Sequence, residues 1–450
     1  MAGITLFCAI CVAFCGTVFA QNDPGPSGGA PRSGTSGNGS NTNVTTGDPI
    51  PGLTAGELAA FFNGKSVFQE VDSVTGALTS GVGLGPTFNM DSCAGCHAFP
   101  AIGGSSPMIN PQIAVATKAG ARNTIPPFIT LSGPVREVRF VKSPSGAADG
   151  GVHDLFTITG RSDANGCRVS QPDFTTAVAT GNAIFRIPTP NFGSGLIESI
   201  DDLTILNNMA ANATLKSALG ISGHENRNPN DGSLTRFGWK AQNKSLTVFA
   251  GEAYNVEQGV TNDLFPNERN STAGCRFNGT PEDHVDANGG RTNRPAPAVS
   301  DVINFVFFMR FLAPPPRGQT SASTNNGQAL FTSVGCALCH TPSMQTASSV
   351  TAALSNATAN LYSDLVVHNM GTGLTDGITQ GFATGNEFRT APLWGLGQRI
   401  FFLHDGRTSD LRAAIADHAS SGSEATAVVS RYNALTTQQK QDLLNFLRSL

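Results

Sequence analysis

Charge is scarce in this chain. Asp, Glu, Lys and Arg make up 13% of its 450 residues and the formal net charge is only -4, which excludes the basic footprint of a nucleic-acid binder and the basic face of a membrane-surface protein. Long apolar runs are missing beyond the N-terminus. The longest, Val302 to Leu312, is broken by Asn304 and Arg310 and stopped by Pro314-Pro315-Pro316, too short to span a bilayer. Cysteine is sparse and unevenly placed: of nine, Cys8, Cys11 and Cys15 fall in an N-terminal apolar stretch, four form two Cys-x-x-Cys pairs, and Cys167 and Cys275 stand apart.

The apolar stretch Ile4 to Ala20, ending Val18-Phe19-Ala20, reads as a signal peptide over residues 1–20, although it lacks the usual basic n-region. Phe14 stands where a lipoprotein site needs a small residue before Cys15, so soluble export is favoured over lipid anchoring. Residues 21–51 are almost wholly Gly, Ser, Asn, Thr, Pro and Asp and read as a disordered linker. Export places the mature chain in a periplasm or outside the cell, where thiols oxidise. Cys167 and Cys275 are then expected to form a disulfide; the bland alternative is two separate buried thiols.

The two Cys-x-x-Cys pairs are each followed by histidine: Cys93-Ala94-Gly95-Cys96-His97 and Cys336-Ala337-Leu338-Cys339-His340. Such pairs also bind zinc or act as dithiols. The histidine in both copies, with export, points instead to c-type haem, in which two thiols one helical turn apart take the porphyrin vinyl groups and the next residue reaches the iron. Two haems are expected, one on His97 and one on His340.

An internal repeat surrounds these motifs. Thr54 and Glu57 form a capping-box pattern, and Gly64-x-x-x-Phe68 precedes the first motif as Gly327-x-x-x-Phe331, on a helix capped by Asn326, precedes the second. Phe185-Arg186 and Pro190 to Gly195 are echoed by Phe388-Arg389 and Pro392 to Gly397. The expected fold is mainly α: two tandem cytochrome c-like helical domains, residues 52–298 and 299–450. Extra length in the first half, with strand-like alternation at Val135 to Phe140 and Val152 to Thr159, predicts a small β-rich insertion over about residues 109–180.

In the second half, a helix capped by Ser409 places Leu411, Ile415 and His418 on one face, offering His418 as the sixth ligand of the second iron; His368 and Met370 are the alternatives. Setting Leu246 against Leu411 without gaps puts Trp239 opposite His404 and Ala253 opposite His418. Alanine cannot ligate, and Glu257 lies one turn further along the same face. Met108 is an alternative cap for the first iron, and an arbitrary glutamate is more often a solvated surface carboxylate.

The segment Trp239 to Gly259, the Phe388 to Gly397 element, Phe402-Leu403-His404-Asp405-Gly406-Arg407 and the Leu411 to His418 helix resemble the bacterial di-haem cytochrome c peroxidase superfamily. Over residues 52–450 the chain most resembles its branch of di-haem oxidoreductases, also labelled thiol oxidoreductases. The resemblance implies that the N-terminal haem is peroxidatic and the C-terminal haem relays electrons. It implies that Trp239 lies between them, that Glu257, in Glu257-Gln258-Gly259, is the distal acid/base, and that a structural calcium ion is bound. Two departures stand out: no histidine occurs between His97 and His153 to gate the first haem, and His418 replaces a distal methionine, which lowers the second haem's potential.

The expected function is thus reduction of hydrogen peroxide at the first haem, with electrons from a donor such as a small cytochrome or cupredoxin. Glu257 assists O–O cleavage, with Glu198 and Glu252 as less favoured substitutes. The alternatives are a non-catalytic electron-transfer cytochrome and a peroxide-dependent oxidase of an organic or protein substrate.

Overall fold

The structure, a computed structural model, describes residues 21–26, 31–36, 42–286 and 299–450; the segment read as a signal peptide lies outside them. It is mainly helical, and every sheet among the described residues is two-stranded. The elements that build the site are helix α1 (Ala55–Phe68), strands β1 (Glu137–Phe140) and β2 (Ala183–Arg186), helices α2 (Leu246–Gln258), α3 (Asp301–Phe311) and α4 (Ala322–Val334), strands β3 (Val367–Asn369) and β4 (Glu387–Arg389), and helices α5 (Leu411–Asp417) and α6 (Thr437–Ser449).

Side-chain caps fix where these helices begin, because the first-turn N–H groups have no intrahelical acceptor. Thr54 and Glu57 close the expected capping box on α1, Ser245 caps α2, Ser300 caps α3, and Thr436 with Gln439 caps α6. Two expected caps are displaced. The start of α4 is capped by Ser321 paired with Thr324, and Asn326 lies inside the helix, reaching Asp442. Asp410 rather than Ser409 caps α5; in both cases a better-placed oxygen sits nearby.

Two helix crossings of the same design organise the molecule. Helix α1 packs on α3, and α4 packs on α6. At each crossing a glycine permits backbone contact: a Cβ on Gly64 would lie 2.2 Å from the Asn304 carbonyl oxygen, and one on Gly327 would lie 2.0 Å from that of Asp442. One turn on, Phe68 meets Phe308 of α3 and the His97 ring, and Phe331 meets Phe446 of α6 and the His340 ring. The Gly-x-x-x-Phe repeat is therefore a packing device that seats a phenyl ring against each motif histidine. α3 is apolar almost all round because it is buried against α1, α2 and the short helix Ser194–Ser199.

Strands β1 and β2 pair antiparallel with Glu137 opposite Arg186, and β3 pairs with β4. The chain then turns through left-handed Gly193 in one half and Gly395 in the other. Both halves repeat a loop bridge at matching positions, Phe237 with Asn243 and Phe402 with Thr408. They also exchange backbone bonds: Ile187 N–H donates to His404 O, and Arg389 N–H to Trp239 O, both at 2.8 Å.

The stretch expected to be β-rich is mostly irregular. The alternation at Val135 to Phe140 yields β1, but of Val152 to Thr159 only Phe156–Thr157 is strand, with Val152 in an isolated bridge. Side chains replace the ladder: Asn123 serves Ala116 and Thr157, and Asn89 accepts from Leu155 N–H, which satisfies buried backbone without sheet. Cys167 and Cys275 are joined, with Cα atoms 4.7 Å apart, in a core with Phe88, Val138 and Phe156.

The expectation of a disordered linker over 21–51 fails for its described residues. Ser33–Thr35 pairs with Asn43–Thr45, Val44 and Ile50 are buried, and Arg32 donates to the carbonyls of Arg448 and Leu450. Asp23 pairs with Arg448 at 2.6 Å and accepts from Leu411 N–H. Composition registered the lack of apolar surface, and the segment is held largely by charge and backbone bonds instead. Among the described residues no helix is long and apolar enough to cross a membrane.

Gly64→Ala and Gly327→Ala are each expected to lower stability by about 1–3 kcal/mol, the usual cost of overpacking, seen as a lower thermal midpoint. Gly56→Ala, whose Cβ would meet nothing within 4 Å, should cause no loss.

Candidate functional site

Each Cys-x-x-Cys-His motif forms one wall of a large cavity. The first cavity is lined by Cys93, Cys96, His97 and Phe68 on one side. Cys93–Cys96 is a single helical turn, after which His97 commits Nδ1 to Gly104 O at 2.9 Å. Burial lowers the His97 pKa to about 4, so the imidazole is neutral and Nε2 is the nitrogen available to a metal. Burial also pushes the Cys93 and Cys96 thiols well up, the opposite of what a reactive dithiol or zinc thiolate requires.

The facing wall is α2, which presents Ala253 and, one turn on, Glu257. Asn89 Nδ2 donates to Glu257 at 2.9 Å. Burial first, then the nearby Glu137 charge, raises the Glu257 pKa well above the carboxylate range. Glu252 also lines the cavity and accepts from Asn243. Glu198 is used elsewhere, accepting from Leu246 N–H and Arg310, and Met108 is 57% exposed and outside the cavity, which removes it as a cap for the first iron.

The second cavity is walled by Cys336, Cys339 and His340 on one side. His340 bonds Tyr362 O through Nδ1 at 3.0 Å, and burial lowers its pKa to about 4. Opposite, α5 supplies Leu411, Ala414 and Ile415, and His418, immediately after its last residue, completes that wall. His418 Nδ1 donates to Ala414 O at 2.6 Å, which leaves Nε2 toward the cavity side. Met370 is also in the lining.

His368 is spoken for. Its Nε2 bonds Asp364 at 2.9 Å and its Nδ1 bonds Glu424 at 2.7 Å. Burial opposes its charge, but Asp364 and its other partners outweigh that and raise its pKa well above the ordinary value, and both ring nitrogens are already committed to carboxylates. Among the described residues, the one His/Cys/Asp/Glu group close enough to gather a cation is Cys339, Asp364 and His368, in which Cys339 belongs to the second Cys-x-x-Cys-His motif and His368 is held by Asp364 and Glu424.

Trp239 lines both cavities. Its Nε1 donates to Ile187 O at 2.9 Å, and its ring meets His404 edge-on at 6.4 Å, while His404 stacks on Phe388 at 4.2 Å. Lys240 beside it is fully buried, ion-paired to Asp376 and lying over the Phe388 ring, with a pKa lowered by burial to about 8. Asp376 also pairs with Arg186 at 2.6 Å.

Unpaired cationic atoms border the cavities. Arg186 Nε at the first, and Arg389 Nη1 with Arg399 Nε and Nη2 at the second, have no hydrogen-bond partner. Burial alone is costly for such groups. A flat apolar macrocycle with acidic side chains fits these walls: paired thiols, a neutral imidazole, and guanidinium atoms for the carboxylates. Sequence reasoning missed these arginines, and it also missed Glu137 and Arg139 of the first cavity. The alternation that predicted β1 already put Glu137 and Arg139 on one face, but nothing in it said that this face meets α2.

These features define a redox protein built around two prosthetic-group cavities. The sequence profile described as "Di-haem oxidoreductase, putative peroxidase" matches residues 138–450, more than half of the chain. The protein belongs to this family of di-haem enzymes. No curated protein matches it. Local likeness to solved structures extends to a MauG-like protein associated with microbial copper homeostasis (20% identity, TM-score 0.24), Kuenenia stuttgartiensis hydrazine synthase (17%, 0.22) and the dihaem peroxidase BthA from Burkholderia thailandensis (17%, 0.24). Each match covers 33% of this chain and 52%, 55% and 50% of the other, respectively, so the chain spans about half the length of those structures.

His368 carries a pH prediction. Its folded pKa is raised, so the stability it adds is complete below its unfolded value of about 6.5 and is lost as pH climbs through the raised folded value. The thermal-midpoint gap between wild type and His368→Gln should therefore be widest in mild acid and shrink toward alkaline pH. A gap independent of pH would mean that His368 is neutral.

Proposed function

We propose that the chain is an exported peroxidase made of two tandem cytochrome c-like domains, residues 52–298 and 299–450, which reduces hydrogen peroxide to water. Cys93 and Cys96 would attach one haem, with His97 on its iron; Cys336 and Cys339 would attach the other, with His340. The paired helix crossings at Gly64 and Gly327 support the tandem reading, and a disulfide suits an oxidising compartment.

The observation that carries the proposal is the contrast between the two distal walls. Over the first cavity stand Ala253 and a carboxyl; over the second stands an imidazole with a free Nε2. Bound haem supplies redox-active iron, and two haems together supply the two electrons that O–O cleavage consumes. In the first cavity, Ala253 leaves room for a small hydroperoxide opposite His97, and Glu257 is the carboxyl whose proton burial and the Glu137 charge favour. That proton passes to the departing oxygen, which leaves as water. In the second cavity His418 fills the distal position, which excludes substrate and suits electron relay. Trp239 spans the gap. His340 and His418 would together hold the second iron, and two imidazoles would lower its potential relative to His/Met, which calls for a low-potential donor, a small cytochrome or cupredoxin.

The purified protein should show one high-spin and one low-spin haem, and Cys93→Ala and Cys336→Ala should each cost one covalently held haem. His418→Ala should make the second haem high-spin. Two low-spin haems in the wild type would favour an electron carrier, and a spectrum that changes with Met370→Ala instead of His418→Ala would reassign the ligand.

A further inference from the structure

We propose that Glu137 and Glu257 act as one proton-sharing carboxyl pair over the first cavity, which makes Glu137 a second catalytic residue for small hydroperoxides. The inference rests on the peroxidase reading above and adds to it the partner of Glu257.

The two carboxyls arrive from different parts of the chain, β1 and α2, and both line the cavity wall opposite His97. Each carboxyl bears on the other's charge. Two like charges buried in one wall repel, so one of the two is the acid. The surroundings decide which. Arg139 Nε donates to Glu137 Oε1 at 2.7 Å from the same strand face, and Arg186 lies opposite Glu137 across the sheet, so Glu137 is the member kept ionised. Glu257 receives only the neutral amide of Asn89, so it holds the proton.

The other charged groups around the pair agree with this assignment. Arg186 is partly neutralised by Asp376, Glu252 is occupied by Asn243, and Asp154 is held by Arg269. Asp91 is held by Lys118. Burial opposes charge on both carboxyls, but the two guanidinium groups outweigh it at Glu137, whereas at Glu257 burial and the Glu137 charge act together.

A hydroperoxide needs an acid and a base at once: one oxygen loses its proton and the other gains one as the O–O bond breaks. A single carboxylic acid can give but must wait to receive. The pair does both in one step: Glu137 accepts a proton from one peroxide oxygen while Glu257 gives its own to the other, and water leaves. The pair ends with the same single proton, now on Glu137, and resets by returning it to Glu257. The remaining oxygen takes up two protons from solvent and becomes the second water. The pair handles protons only; the two electrons come from the haems.

The test uses the holoprotein and two readouts. In infrared spectra a protonated-carboxyl band should vanish in Glu257→Gln. In Glu137→Gln it should titrate at lower pH than in wild type, because the anion that held the proton on Glu257 is gone. Arg139→Gln should strengthen the band, since Glu137 then also protonates; this second variant decides the matter if Glu137→Gln fails to take up haem. Glu137→Gln and Glu257→Gln should each slow peroxide turnover by about 10²–10⁴-fold, and the double variant should be no slower than the worse single one. A band unmoved by Glu137→Gln and Arg139→Gln, or wild-type turnover in Glu137→Gln, would overturn the pair. A wild type that turns over no hydroperoxide would overturn the peroxidase reading and the catalytic role with it, whereas the infrared result alone still decides proton sharing.

Discussion

Two backbone hydrogen bonds set the relation between everything else: Ile187 N–H to His404 O and Arg389 N–H to Trp239 O. Ile187 comes just after β2 and Arg389 is the last residue of β4, while Trp239 and His404 occupy corresponding positions inside matching loops. Each half thus reaches across to the same point in the other's loop. The outcome is a tryptophan held at a fixed place between two cavities, with its indole N–H already used and its ring edge against an imidazole. Lys240, Arg186 and Asp376 sit directly behind this junction, so a buried charge cluster stiffens the very place where the halves meet.

Within that frame the two cavities have diverged by small means. The proximal sides are near copies: a phenyl ring, a turn of thiols, and a histidine whose Nδ1 is tied to a backbone carbonyl. The distal sides are not. One helix ends in His418; its counterpart carries alanine at that position and a carboxyl one turn later. A few side chains on one helix face therefore set the two walls apart, an imidazole on one and a methyl and a carboxyl on the other.

Much of this was legible in the sequence. The Cys-x-x-Cys-His motifs, the Gly-x-x-x-Phe repeat and the gapless match of Leu246 to Leu411 are local patterns with fixed spacing, and the matched loop bridges at Phe237 and Phe402 follow the same register. What could not be read were contacts between segments distant in sequence. Glu137 reaches the first cavity only because β1 pairs with β2, and Arg399 borders the second only through tertiary packing. The ordered part of residues 21–51 was missed for a related reason: its partners, Arg448 and Leu450, lie at the other end of the numbering, and composition counts apolar area, not ion pairs. His368 was a plausible ligand by position, and only its two carboxylate neighbours removed it.

That early segment has a consequence for how the second cavity is held. Asp23 grips both Arg448 in α6 and the first N–H of α5, so the helix leading to His418 is anchored by residues more than 380 positions earlier. The wall opposite His340 is thus secured from outside the cavity: α5 and α6 are tied to one carboxylate, so a disturbance at Asp23 is felt at both helices at once.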